Sequence, residues 1–378
     1  MPFSAVVGHE AAIRSLQRAL RAERLPTGYL FTGPAHIGKT TLAKAFAQAA
    51  NCETPLELPE GPEACGACPT CLRIEREAYA DVRVLRPRRK VDIKGEDDDE
   101  KLQLQAELDD ALIDVKLMER LRMDAAASAM EARRRVYIIT QADAMNAEAA
   151  NRFLKTLEEP PPGLTFILTT AQPSRLLPTI ISRCQVLALH ALHREDLKSA
   201  LSARFPHLSP ERSEQIASLS AGALGRALSL AEKPDILTLR EELLGLAASL
   251  PGLEPWEALR CGERLLDLTE RWWLAEHPDD AGRDFLKHAH DTAVRAELRT
   301  TLAVLHTWFR DLLAAGNPAL LTNADHREAV ELAAASYTPE AALGAVRALE
   351  ELREDLSQNP NLRLAAEALF VRLLSLKR

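Results

Sequence analysis

Gly33-Pro-Ala-His-Ile-Gly38-Lys39-Thr40 fits the pattern G-x-x-x-x-G-K-[ST] at every position, and its flanks decide the fold. An apolar run, Gly28-Tyr-Leu-Phe-Thr32, precedes it, and a helical pattern over 41–50 follows it. Strand, glycine-rich loop and helix in that order are the setting of a phosphate-binding loop. Gly33 and Gly38 let backbone N–H groups converge on an anion, and the helix N-terminus adds the positive end of its dipole. Lys39 is expected to reach the β- and γ-phosphates of a nucleotide, and the Thr40 hydroxyl to hold Mg²⁺.

Outward from the loop, 81–86 alternates in the manner of a strand, and apolar runs at 136–140, 164–169 and 184–189 alternate with helical patterns. Continuous apolar runs of this kind are the mark of strands buried on both faces of a parallel sheet. With the run before the loop they predict a doubly wound α/β domain with a five-stranded parallel sheet over residues 1–190. Asn146 reads as the N-cap of a helix over 147–159, and Pro160-Pro-Pro162 as its stop. Beyond 190 the strand signals vanish. Residues 191–235 read as a small helical domain, and 236–378 as an all-α domain with apolar residues at helical spacing, as in Leu362, Ala366, Leu369 and Leu373.

Six cysteines are too few for a disulfide framework in 378 residues, yet four of them lie between 52 and 71. Cys52, Cys65, Cys68 and Cys71 have the spacing C-x12-C-x2-C-x2-C. Four thiolates fill every position around a tetrahedral Zn²⁺ and leave none for a reacting water, so the expected site is structural. Between 87 and 112 a basic stretch (Arg88, Arg89, Lys90) runs into an acidic one, Glu96-Asp-Asp-Asp-Glu100, the pattern of a solvated insertion.

A net charge of −8 argues against a chain that grips nucleic acid over a broad face on its own. Contact with DNA is expected to be local, or shared with partners. No apolar run is long enough to cross a bilayer, and the start, Met-Pro-Phe-Ser-Ala-Val-Val, lacks the basic and apolar regions of a signal peptide. The expectation is a cytoplasmic protein that makes no membrane contact.

Hydrolysis needs more than a phosphate cradle. The next strand of a P-loop ATPase ends in an acidic pair, one residue for Mg²⁺ and one to polarise the attacking water. Here those positions hold Thr140 and Gln141, while Asp143 reads as a turn or capping residue. Turnover is therefore not expected, whereas for nucleotide occupancy the intact loop and the missing carboxylates point in different directions.

The chain resembles the AAA+ clamp-loader family of bacterial DNA polymerase III over nearly its whole length. The likeness is carried by Val6-Val7-Gly8, the phosphate loop, the four-cysteine module and Asn151-Arg-Phe-Leu-Lys-Thr-Leu-Glu-Glu-Pro160. It continues in Leu176-Leu-Pro-Thr-Ile-Ile-Ser182-Arg183-Cys184 and Asn359-Pro-Asn-Leu-Arg-Leu-Ala-Ala-Glu-Ala-Leu-Phe370. The resemblance implies an AAA+ domain at 1–190, a lid at 191–235 and an oligomerisation collar at 236–378. It implies that Arg183 acts in trans as an arginine finger, that Thr169 or Thr170 senses the γ-phosphate and that Arg226 contacts nucleotide from the lid. ATP with Mg²⁺ is the implied ligand. The implied partners are gamma/tau and delta subunits, with the sliding clamp and primer-template DNA met through the complex. On this reading the chain is a stator, no enzyme by itself but part of a DNA-directed DNA polymerase holoenzyme. The alternative is an ATP-hydrolysing motor subunit of the gamma/tau type, against which Thr140 and Gln141 speak. The intact phosphate loop departs from the degraded loops common among stators.

Overall fold

A computed structural model describes residues 1–87, 113–126, 132–276, 286–356 and 360–377. Nearly all of the charged insertion expected at 87–112 lies outside these residues. The described residues divide into two compact units, one built from the part of the chain before 209 together with 220–228, the other from 209–219 and the part after 228.

In the first unit, helix α1 (Glu10–Arg21) leads to strand β1 (Gly28–Thr32), and the loop then opens helix α2 (Lys39–Asn51). The hairpin β2 (Leu56–Glu57) and β3 (Pro62–Glu63) and the short helix α3 (Pro69–Glu75) carry the cysteine module. Strand β4 (Val82–Leu85), helix α4 (Val115–Ala126), strand β5 (Arg135–Ile139), helix α5 (Ala147–Glu158) and strand β6 (Leu164–Thr170) come next. Helix α6 (Pro178–Ile181), strand β7 (Cys184–Ala188) and helix α7 (Arg194–Arg204) complete the series before α8 (Pro210–Leu219) and α9 (Leu224–Glu232). The Asn146 side chain caps α5 by accepting from Ala149 N–H at 2.8 Å, and the helix ends two residues before Pro160, as expected.

The strands form a five-stranded sheet in the order β4-β5-β6-β1-β7, parallel throughout. Successive side chains of a strand point to opposite faces, and each face has its own core. Tyr29, Phe31, Val136, Ile138 and Ile167 pack with Leu42 and Phe46 of α2 on one side. Leu30, Tyr137, Ile139, Phe166 and Leu168 pack with Phe153 of α5 and Met118 of α4 on the other. The rings of Phe153 and Phe166 meet edge to face at 5.1 Å.

One strand departs from expectation. β7 reads as an apolar strand, yet Gln185, Val186 and Ala188 are exposed. It pairs with β1 alone and forms a sheet edge, so burial there is lost through strand order.

Among the described residues, every regular element of the second unit is a helix. α8 belongs to it, with α10 (Pro234–Ser249), α11 (Ala258–Glu276), α12 (Leu286–Leu313), α13 (Arg327–Ala334), α14 (Pro339–Asp355) and α15 (Leu362–Ser375). Leu243, Leu265, Leu302, Trp308, Phe309, Leu349 and Phe370 share its separate core. Leu362–Ser375 buries Ala366, Leu369 and Leu373, the stripe that the spacing predicts. Among the described residues no helix is long and apolar enough to cross a membrane.

Candidate functional site

Parallel sheets bind ligands beyond the carboxyl ends of their strands, and the first unit has a cleft of about 770 Å³ there. The register aligns Thr32 at the end of β1 with Thr170 at the end of β6, so the loop leaving β1 lies beside β6. The cleft is lined by the loop from Ala35 to Thr41, by Thr140, Gln141 and Asp143 after β5, and by Thr169 and Thr170. Val6 and Val7 form an apolar wall, and Ala200, Arg204 and Leu228 contribute from α7 and α9. The backbone N–H of Gly225 donates to the carbonyl of His36 at 2.8 Å, which pins the start of α9 to the loop.

The loop owes its shape to its glycines. Gly33 has φ +138, and a Cβ there would stand 2.2 Å from the carbonyl oxygen of Leu189. Gly38, at φ +102, needs the same freedom from a side chain. Lys39 is 9% exposed, and its ammonium folds back on the loop, donating to the carbonyls of Gly33 at 2.7 Å and Pro34 at 2.6 Å. Burial pushes the Lys39 ammonium down from its ordinary value, and the Asp143 carboxylate opposes that shift. The side chain that would meet phosphate is thus already desolvated.

Thr140 and Gln141 line the cleft where an acidic pair would stand. The Thr140 hydroxyl turns to the carbonyl of Leu85 at 3.1 Å, toward the neighbouring strand. Gln141 has left-handed backbone (φ 48), and its N–H approaches the Thr169 hydroxyl oxygen at 3.4 Å. Asp143 does sit in a turn, within the short 3-10 segment Ala142–Ala144, but it does more than the sequence suggests. It lines the cleft, accepts from the Thr170 hydroxyl at 2.5 Å and acts on Lys39 through its charge. No strand-end pattern singles it out; only the close approach of β5 and β6 does.

Gly38, Lys39, Thr40 and Thr169 come together in the cleft, while Gly33 lies outside its lining and touches it only through its carbonyl, which accepts from Lys39. Arg226 stands apart from that lining, exposed on α9 although Gly225 and Leu228 face the cleft. Arg183 is also away from it, at the start of β7, on the outer surface of the unit. Its guanidinium donates to Glu158 at 2.7 Å and to the carbonyl of Thr179 at 3.2 Å. Both partners of the ion pair are exposed, at 40% and 48%, so the pair contributes only about 0–1 kcal/mol.

The cysteine module forms a second site. The sulfurs of Cys52, Cys65, Cys68 and Cys71 all lie within 4.8 Å of one another, and those of Cys52 and Cys68 are 4.0 Å apart. Metal–sulfur bonds of about 2.3 Å in a tetrahedron require sulfur separations of about 3.8 Å, so the four residues fit a metal ion. Backbone N–H groups of Cys65, Cys68 and Cys71 point at the sulfurs of Cys52, Cys65 and Cys68 at 3.3, 3.3 and 3.4 Å. Burial pushes the Cys52 and Cys71 thiols up. The Thr54 side chain, helped by backbone N–H groups, holds Cys65 down to about 6. Metal binding here therefore displaces protons. The Glu53 carboxylate fixes the start of α3 by accepting from Thr70 N–H at 3.2 Å and from its hydroxyl at 2.6 Å.

A family profile described as DNA polymerase III, delta subunit, matches residues 8–193. DNA polymerase III subunit tau of Bacillus subtilis is 31% identical over 252 residues, 64% of this chain and 40% of that protein. Subunit delta' of the same organism is 29% identical over 234 residues, 62% of each chain. Subunit tau/gamma of Haemophilus influenzae is 26% identical over 393 aligned positions, covering 99% of this chain and 49% of that one. The chain thus spans less than two thirds of the length of each of these relatives.

Proposed function

We propose that this chain is an AAA+ clamp-loader subunit of bacterial DNA polymerase III, of the delta-prime, tau and gamma group that its relatives represent, and within that group the delta-prime stator. The observation that carries the reading is the pair Thr140 and Gln141, hydroxyl and carboxamide where a hydrolysing subunit needs two carboxylates. The chain holds ATP with Mg²⁺ through the loop: Lys39 on the β- and γ-phosphates, Thr40 toward the metal and Thr169 near the γ-phosphate, with Arg226 turning in from its exposed place on α9 when ATP binds. Bound ATP stabilises the chain by mass action without being turned over. Residues 1–190 serve as the AAA+ domain, 191–235 as the lid and 236–378 as the collar. Cys52, Cys65, Cys68 and Cys71 hold a structural Zn²⁺, which keeps the module folded and supplies no chemistry to a substrate.

Arg183 gives the stator its catalytic part. Its exposure and its weak pair with Glu158 leave the guanidinium open to exchange onto the γ-phosphate in a neighbouring subunit. A guanidinium there neutralises charge spread over the transferring phosphoryl oxygens. The partners on this reading are gamma/tau and delta in a cytoplasmic ring that places the sliding clamp on primed DNA.

A second reading, a gamma/tau-type motor, draws on the intact loop and on Asp143 beside Lys39. Steady-state ATP hydrolysis separates the two. The isolated chain is expected to show no turnover. In the loader assembled with motor subunits, delta, clamp and primed DNA, Arg183→Ala is expected to slow the site it serves by roughly 10³-fold. Turnover by the isolated chain, with Arg183→Ala silent in the assembly, would establish the motor.

A further inference from the structure

Residues 2–9 run from the cysteine module to the cleft. Glu63 lies on β3 between Cys52 and Cys65, is 4% exposed and devotes its whole carboxylate to backbone. Its Oε1 accepts from Phe3 N–H at 2.8 Å and from Ala64 N–H at 3.0 Å, and its Oε2 accepts from Ser4 N–H at 3.1 Å. Phe3, 1% exposed, shares one buried cluster with Cys52 and Cys71. The next residues, Ala5, Val6 and Val7, line the cleft. The segment ends at His9, whose Nε2 meets the carbonyl of Ile37 in the phosphate loop at 2.9 Å. From the other side, Gln48 of α2 donates to the carbonyl of Cys71 at 2.8 Å.

We infer that Glu63 is a positioning residue for the nucleotide cleft, and that metal binding at the four cysteines and ATP binding at the loop are thermodynamically linked through residues 3–9. The inference rests on the reading of the cleft as an ATP site. The grip on Phe3 and Ser4 comes from a hairpin of two-residue strands, which cannot hold itself in water and depends on the metal-closed module. Without that grip the apolar wall of the cleft is formed only part of the time. The apparent dissociation constant then rises in inverse proportion to the competent fraction. Because linkage is reciprocal, bound ATP also tightens the module on its metal.

The test uses the full chain and reads MgATP affinity by calorimetry, amide hydrogen exchange at 3–7, and metal content. Glu63→Gln keeps the side-chain shape but sets a donor amide against a backbone N–H. It is expected to weaken MgATP binding about tenfold, equivalent to about 1.4 kcal/mol, with the metal retained. Glu63→Asp should recover part of that loss. Stripping the metal from the native chain should cost a similar factor, restored by Zn²⁺, and the two losses should be far from additive. In each weakened state the amides of Phe3 and Ser4 should exchange faster. Native-like affinity in Glu63→Gln, or exchange at residues 3–7 indifferent to metal, overturns the inference and leaves the ATP reading intact. A native chain that binds no MgATP overturns both. Should Glu63→Gln fail to fold, withdrawal and return of metal on the native chain decides: affinity that does not follow the metal overturns the inference.

Discussion

The charge on Lys39 shows what a single residue contributes to this site. Burial lowers its affinity for the proton, and Asp143 is the charge that opposes the loss. Removing that charge by Asp143→Asn lets the Lys39 proton leave at lower pH. Below the Lys39 titration the variant should bind MgATP at least as tightly, since a negative charge has left the wall facing phosphate. As pH rises the variant should lose affinity earlier than the native chain. Titration calorimetry from neutral to alkaline pH reads both limbs, and coincident alkaline limbs would exclude the coupling. Little of this was legible in the sequence. Lys39 and Thr40 declare themselves by motif, whereas Asp143 looks like any acidic turn residue until β5 and β6 bring it against Thr170. Glu63 gives no signal at all, because its partners are backbone groups of Phe3 and Ser4 far away in the chain. The Glu158 partner of Arg183 is likewise a product of the α5–β7 juxtaposition.

Between elements, Glu77 ties three pieces of the first unit together. It pairs with Lys44 of α2 at 2.7 Å and takes two hydrogen bonds from Arg86, just past β4, at 2.8 and 2.6 Å. The Arg86 guanidinium, then Lys44, holds the Glu77 carboxyl down to about 2. A depressed carboxylate contributes stability that is fully present above its unfolded value, about 4.3, and is lost as pH falls through the folded one. Arg86 is 54% exposed, so water screens the pair and the contribution is about 1 kcal/mol. Glu77→Gln should therefore destabilise the chain by about that amount near neutrality, with the gap to native closing as pH falls from about 4.3 toward 2. Urea unfolding at a series of pH values checks it, and a gap constant with pH would remove the ion pair from the account. Elements themselves were the most legible level. β1, β5 and β6 are buried on both faces and read as unbroken apolar runs, and the Asn146 cap and Pro160 mark the ends of α5. The order of strands is a different matter. β7 carries a similar run of residues to the edge of the sheet, where no local pattern distinguishes it from a central strand.

At the scale of the molecule, the two units bury separate cores, and a lesion in one should stay in it. In the second unit Arg240, only 6% exposed, is held by Asp325 at 2.7 and 3.1 Å and by Asn323 at 2.6 Å. Gln215 of α8 donates to the same carboxylate at 3.0 Å, and buried Asp311 accepts from Asn323 N–H at 2.6 Å. Burial raises the Asp325 pKa, but the Arg240 guanidinium outweighs it and leaves the carboxyl below its ordinary value. Asp325→Asn strands the Arg240 charge in a desolvated place, which costs about 3–5 kcal/mol when a buried pair is broken. The loss should be largest near neutral pH and shrink in acid, where the native carboxyl also takes up its proton. Hydrogen exchange should show it in 234–249 and 327–355, while the amides of 28–32, 135–139 and 164–170 keep their protection and MgATP affinity is unchanged. Distant sites that share no partners add independently, and neither core contains a residue of the other unit. Equal loss of protection in the sheet would mean that the chain unfolds as one cooperative body, and that stability lost in the helical unit is lost to the cleft as well.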